Sequence, residues 1–255
     1  MTYCLGIITR DGLVMACDSR TNAGYDQVNV CGKMHKFVDK GNRVIIALTS
    51  GSLSCSQSVI TLLRRDFKIG KGLAAADTMY DAARVIGQQI RHVAELDRET
   101  LARDNFHFNV HILLGGQIAG EPPELYIVYP QGNPLRACKE SPYLQIGETK
   151  YGRPILDRGV RHDSTPLDMA VKYALISLDS TMRSNVAVGP PVDLAVYQVD
   201  SLELTQCRRF EENDADLLTI RQSWEQALRK GVQDLPAIDL KAAPPAAPGV
   251  SRVAP

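Results

Sequence analysis

The sequence predicts an α+β fold in which two sheets, mainly of antiparallel strands, are covered by helices. Apolar strands occur in three groups, with a pair of helical patterns after the first group and a single helical pattern before the last. A chain of 255 residues, of which 44% are hydrophobic, can bury one sizeable core. Strands and helices in this order are typical of a two-sheet sandwich with helices on the outside.

The first two strands are expected to form a hairpin. Residues 2–9 and 13–17 are short apolar runs, and the polar turn between them, at residues 10–12, ends in glycine. Because a hairpin returns the chain to its starting point, Asp18 is expected within side-chain reach of Thr2.

The later elements follow from apolar periodicity. Strands at residues 31–37 and 43–49 precede two helices, at 56–63 and 73–96. One later helix begins with a hydroxyl and proline, the signature of a capped N-terminus. The remaining strands and helices are predicted at residues 106–114, 124–128, 143–146, 164–178, 192–199, 202–209 and 214–230.

Residues 1–234 are predicted to form one domain. Residues 235–255 are rich in proline and alanine and lack an apolar period, which indicates a flexible tail. The 29 basic and 29 acidic side chains balance, so charge favours neither nucleic acid nor an anionic membrane as a partner. No stretch approaches the ~20 apolar residues of a membrane span.

The cysteines and histidines do not predict a cofactor. The six cysteines are scattered along the chain, which suggests reduced thiols in the cytoplasm. His107 and His111 share one face of a predicted strand, but no further ligands accompany them, so neither a metal nor another cofactor is expected.

Thr2 is the first candidate for chemistry. Methionine is usually removed before a small residue, and a threonine with a free α-amine carries both a nucleophile and a base. An α-amine has a reference pKa of about 7.7–8.0, which suits a base near neutrality. Lys33 and Asp18 support this interpretation, because an ammonium would stabilise an alkoxide and a carboxylate would hold the ammonium in place.

The order and spacing of these residues resemble a proteasome-type β subunit. Thr2 follows Met1, and the matching segments after it are Asp18-Ser-Arg-Thr-Asn-Ala-Gly, Lys33-Met-His and Thr49-Ser-Gly. The segment from Asp18, together with Ser184-Asn-Val-Ala-Val-Gly-Pro-Pro-Val-Asp-Leu, is similar to the bacterial Anbu branch, the proposed ancestral β subunit. The resemblance covers roughly residues 2–230. It implies the N-terminal nucleophile hydrolase fold, a four-layer αββα sandwich of two mainly antiparallel sheets between helix layers.

This resemblance implies a threonine hydrolase that cleaves amide bonds in peptides or unfolded proteins. Thr2 Oγ would attack the carbonyl, and Lys33, held by Asp18, would favour the charged transition state. The backbone N–H of Gly51 would stabilise the oxyanion. The residues implied for the first specificity pocket are Thr21, Cys31, Thr49 and Leu53.

One part of the family pattern differs here. The family commonly has a serine near the threonine amine, whereas this chain has Glu148 after Gly147. Asp179 and Ser184 are the expected counterparts of the family's aspartate and serine that support the amine, at a longer spacing than usual.

The resemblance also implies a homo-oligomer of many subunits, in a ring-like or an open helical arrangement. Two other functions stay open. The chain could be an N-terminal nucleophile amidase that acts on a small-molecule amide, or a catalytically weak subunit whose fold serves assembly.

Overall fold

A computed structural model describes residues 1–22 and 28–240, and it confirms the predicted four-layer sandwich. The tail predicted at residues 235–255 lies largely outside the described residues, as do Ala23 and Gly24 of the segment that begins at Asp18.

Twelve strands are described. They are β1 (Tyr3–Thr9), β2 (Gly12–Asp18), β3 (Arg20–Asn22), β4 (Val28–Val30), β5 (Met34–Asp39), β6 (Arg43–Gly51), β7 (Val110–Ile118), β8 (Glu124–Val128), β9 (Pro134–Arg136), β10 (Tyr143–Gly147), β11 (Val192–Gln198) and β12 (Gln206–Phe210). The first sheet has the order β10-β1-β2-β11-β12, and the second has the order β5-β6-β7-β8-β9. Strands β3 and β4 form a separate ribbon, and the paired strands in all three sheets are antiparallel.

The described helices form the two outer layers. They are α1 (Leu53–Lys68), α2 (Met79–Arg103), α3 (Arg153–Gly159), α4 (Leu167–Ser184) and α5 (Ala215–Gln233), with a 3₁₀ turn at Gly72–Ala74. Helices α1 and α2 pack on the second sheet, and α3, α4 and α5 pack on the first. Within residues 1–22 and 28–240, none of the helices has the length and apolar character required to cross a bilayer.

Strand β1 shows how the layers are separated. Tyr3, Leu5 and Ile7 pack against the helices on one face, whereas Cys4 points between the sheets. This alternation is the period of two that a strand imposes on its side chains. The buried layer between the sheets includes Cys4, Leu13, Met15, Val44, Ile46, Leu48, Leu113 and Leu125.

The predicted hairpin of β1 and β2 is confirmed, with Cys4 opposite Cys17. The next residue along β2, Asp18, therefore lies at the beginning of β1. On its other side, β2 pairs with β11, so the strand that ends at Asp18 is in the middle of its sheet and is buried along its whole length.

The predicted bounds of α2 were wrong. The Thr78 side chain accepts a hydrogen bond from Asp81 N at 3.1 Å, so the helix begins at Met79 and not at Leu73. Leu73 is buried in the same apolar cluster as α2 although it belongs to the preceding 3₁₀ turn. Because this turn packs on the same core, its apolar residue extends the apolar pattern of the sequence beyond the beginning of the helix.

The predicted hydroxyl cap of α4 was also wrong. This helix begins at Leu167 after Pro166, and the Thr165 hydroxyl accepts a hydrogen bond from Arg161 N at 2.9 Å instead.

The predicted beginning of the last strand was wrong as well. Strand β12 begins at Gln206 and not at residue 202, because Leu202 adopts a φ of 46° that a strand does not contain.

Candidate active site

Asp18 and Lys33 form a buried ion pair next to the first strand. Lys33 Nζ lies 2.7 Å from Asp18 Oδ1, and the two side chains are 5% and 0% exposed. The same Oδ1 accepts a hydrogen bond from Tyr3 N at 3.0 Å. Lys33 Nζ also donates to the Arg20 carbonyl at 2.7 Å. One carboxylate oxygen thus joins a buried cation to the backbone of the residue that follows Thr2.

The surroundings of Asp18 have opposing effects on the pKa of its carboxyl. Burial raises the pKa of its carboxyl, while the Lys33 ammonium and the backbone N–H groups of Tyr3 and Gly189 oppose that rise. Removing two charges from water costs several kcal/mol per ion, so a buried pair is weak as a stabilising device. Such a pair beside an open cleft is more typical of a functional site.

The strand segment at Gly147 holds the backbone of Thr2. Glu148 N donates to the Thr2 carbonyl at 2.7 Å. Gly147 has a φ of 90°, and a side chain at this position would collide with the same carbonyl oxygen. Only glycine therefore allows β10 to approach Thr2 so closely.

A cleft of about 610 Å³ opens over Thr2. Lys33, Gly51 and Glu148, which come from three separate segments, line it together with Thr2 and Met1. Gly51 ends β6 with a φ of 106°, where a side chain would collide with the Asn109 carbonyl. The closeness of β7 thus requires glycine at this wall of the cleft.

The residues predicted for the specificity pocket lie in two adjoining spaces. Thr21, Thr49 and Leu53 line the cleft over Thr2. Cys31 lines a neighbouring pocket of about 470 Å³, which shares Thr49 and Leu53 with the cleft.

Part of the lining of this neighbouring pocket is polar. His35 and Arg64 line it, and the Arg64 guanidinium donates to His35 Nδ1 at 3.2 Å. Burial and the positive charge of Arg64 lower the pKa of His35 to about 4. His35 is therefore neutral at physiological pH, and the positive charge of this pair is that of Arg64.

Comparison with known proteins identifies the family. A family model described as "Proteasome subunit" matches residues 2–197. The chain belongs to the proteasome subunit family. A proteasome subunit beta from Haloquadratum walsbyi is 26% identical over 212 residues, which cover 83% of this chain and 79% of that protein.

Solved structures confirm the Anbu branch. Anbu (ancestral beta-subunit) from Yersinia bercovieri is 40% identical, with a TM-score of 0.89 over 94% of this chain and 100% of that one. The helical assembly of the Anbu complex from Pseudomonas aeruginosa contains a chain that is 44% identical, with a TM-score of 0.89 over 94% of this chain and 99% of that one. The fold is thus that of the proteasome-type N-terminal nucleophile hydrolases.

In this proteasome-type chain, two of the predicted site residues are not among those that line the cleft. Asp179 is 2% exposed on α4, and its Oδ1 accepts a hydrogen bond from Arg221 Nε at 2.6 Å. Ser184 is exposed at the end of the same helix. Neither residue is among those that line the space over Thr2.

Asn185, which directly follows Ser184, was missed as a site residue. Its Nδ2 donates to Glu148 Oε2 at 3.1 Å and lies 3.8 Å from the sulfur of Met1. The sequence offered one signal for this residue, because Asn185 is in the Ser184-Asn-Val segment that resembles the Anbu branch. In this chain, the residue that contacts Glu148 and Met1 thus lies one position beyond the end of α4.

Proposed function

We propose that this chain is a threonine peptidase of the proteasome type, in which Thr2 becomes the nucleophile once the peptide bond before it has been cleaved. The observation that carries the proposal is the shared carboxylate oxygen of Asp18, 2.7 Å from Lys33 Nζ and 3.0 Å from Tyr3 N. It connects a buried cation to the backbone beside Thr2, on the wall of an open cleft.

The proposed reaction has two steps. Thr2 Oγ attacks the peptide carbonyl carbon, and the α-amine of Thr2 takes the hydroxyl proton, directly or through a water molecule. The tetrahedral intermediate then breaks its C–N bond, and the leaving amine receives that proton. A water molecule hydrolyses the resulting ester, which releases the acid and restores the threonine.

Lys33 acts through its charge in this proposal. Its ammonium would stabilise the alkoxide that develops on Thr2 Oγ. Asp18 keeps that ammonium in position, since its Oδ1 also accepts from the backbone of β1 and thereby fixes the distance between the pair and Thr2.

The backbone N–H of Gly51 is the proposed oxyanion donor. Thr49 N, two residues earlier on β6, donates to the Lys33 carbonyl at 3.0 Å, on the side of β5. Strand N–H groups alternate in direction, and β5 begins only at Met34, so the N–H of Gly51 would point past the end of β5. The position of Gly51 on the wall of the cleft supports this role.

Peptides or unfolded chains are the proposed substrates. The side chain before the scissile bond would enter the pocket formed by Thr21, Thr49 and Leu53 and extended by Cys31. Homo-oligomeric assembly is proposed from the family, because the similar Anbu complex from Pseudomonas aeruginosa forms a helical assembly.

The nucleophile can be tested with a library of fluorogenic peptides. We expect hydrolysis by the wild type and complete loss in Thr2→Ala, whereas Thr219→Ala on the exposed surface of α5 should retain the activity. Intact mass should show a mature chain that begins at Thr2, because only a free amine can serve as the base. Retention of Met1 on most molecules would contradict the proposal.

A further inference from the structure

Glu148 and Asn185 form a polar pair that the reaction described above does not use. Asn185 Nδ2 donates to Glu148 Oε2 at 3.1 Å and lies 3.8 Å from Met1 Sδ. The methionine that has to leave before Thr2 gains a free amine therefore lies against this pair. The new α-amine would face the same pair from one residue further along the chain.

Glu148 is held in place through both its backbone and its side chain. Its backbone N–H donates to the Thr2 carbonyl at 2.7 Å, which ties residue 148 to the residue that bears the amine. At the other end, Asn185 Oδ1 accepts from Ala187 N at 3.0 Å, and this contact turns Nδ2 of the same amide towards Glu148. An asparagine amide does not titrate, so this orientation persists across pH.

We propose that Glu148, oriented by Asn185, binds the α-ammonium group of Thr2 and sets the pH at which this amine becomes a base. The inference rests on the proposed role of Thr2. A carboxylate close to an ammonium group favours the charged form, so the amine would lose its proton at a higher pH than a free α-amine. Glu148 would thus be a positioning residue that acts through the amine.

Other charged groups face the same space. Asp18 at the end of β2 and Lys33 before β5 form an ion pair with opposite charges 2.7 Å apart, and this pair is the same in the wild type and in every variant compared below. His107, between α2 and β7, lines the cleft as well. The partner of Glu148 is a neutral amide, which does not balance the charge of its carboxylate.

The test measures the amine directly. In protein that begins at Thr2, the α-amine is labelled competitively with acetic anhydride at a series of pH values, and mass spectrometry quantifies the product. We expect Glu148→Gln to lower the pKa of the amine by about one, the lower end of the effect of an opposite charge within ~4–6 Å. Glu148→Asp, which keeps the charge, should stay closer to the wild type.

Glu211→Gln is the matched control, because this exposed carboxylate pairs with Arg209 on β12. An amine pKa that is equal in the wild type, Glu148→Gln and Glu211→Gln would overturn the inference. If Glu148→Gln does not fold, Asn185→Ala should lower the amine pKa by releasing the carboxylate, and an unchanged value would again overturn it. The labelling needs no turnover, so a lack of peptidase activity would contradict the proposed function alone.

Discussion

Lys33 is the residue whose charge the proposed chemistry needs most. Its replacement by alanine should lower peptide turnover by on the order of a hundredfold or more, the loss typical of one preorganised electrostatic group. Lys36→Ala is the matched control, since Lys36 is exposed on β5. Steady-state hydrolysis of the best library peptide would measure both variants, and equal rates for Lys33→Ala and the wild type would show that the assigned group is wrong.

His35 should make the stability of the protein depend on pH. Burial and Arg64 lower its pKa from 6.5 to about 4, so between these pH values the unfolded chain binds the proton and the folded chain does not. The free energy of unfolding should therefore be highest above pH 6.5 and fall as the pH decreases towards 4. After allowance for partial exposure, the contribution is on the order of 1–2 kcal/mol.

Urea titrations at several pH values would measure this effect. His35→Gln should flatten the pH dependence between pH 4 and 6.5, whereas His92→Gln on the exposed side of α2 should leave it unchanged. A wild-type slope that persists in His35→Gln would assign the effect to other groups.

How far the site can be predicted from the sequence depends on how local each contact is. Asp18 and Tyr3 are 15 positions apart and are joined by a single hairpin, so the position of Asp18 at the beginning of β1 could be predicted from the sequence. Asp179 differs, because Arg221 on α5 binds its carboxylate, and Asp179 is not among the residues that line the cleft. Which residue near the end of α4 faces Thr2 depends on the packing of two helices, and no local pattern encodes that packing.

At the level of elements, the beginning of α2 rests on Thr78. Its hydroxyl accepts from Asp81 N at 3.1 Å, and Thr78→Ala should lower the free energy of unfolding by about 1 kcal/mol because that N–H loses its partner. Thr100→Ala serves as the control, because Thr100 lies near the other end of the same helix and is not its capping residue. Equal unfolding midpoints of Thr78→Ala and the wild type would contradict the assigned cap.

Strand and helix types were easier to predict than their ends. The bounds of β8 were predicted as they are found, Glu124–Val128, because charged and proline-containing turns flank an apolar run. Helix α3 and the short strand β9 were missed, since 7 and 3 residues are too few for a period to emerge. Such short elements depend on contacts with neighbouring layers and not on their own sequence.

At the scale of the whole molecule, we expect a homo-oligomer of many subunits. Large apolar side chains from separate parts of the sequence are exposed on the described surface, where a neighbouring subunit could cover them. Among them are Leu96 at 65% and Val186 at 84% exposure. Val186 follows Asn185 directly, so a neighbour that covered it would also lie close to Thr2. Assembly around the threonines would restrict the sites to extended chains and spare folded proteins from cleavage.

Sedimentation velocity at micromolar concentration would test the assembly, and we expect a particle many times the 28.0 kDa of one chain. Electron microscopy of the same sample would distinguish a closed ring from an open helix, because head-to-tail contacts close into a ring only when the rotation between neighbours divides a full turn. Val186→Asp should weaken assembly if this exposed apolar side chain is covered by a neighbour, whereas Lys36→Ala should not. A stable particle of one-chain mass would contradict the assembly, and the Thr2 sites would then be open to folded proteins.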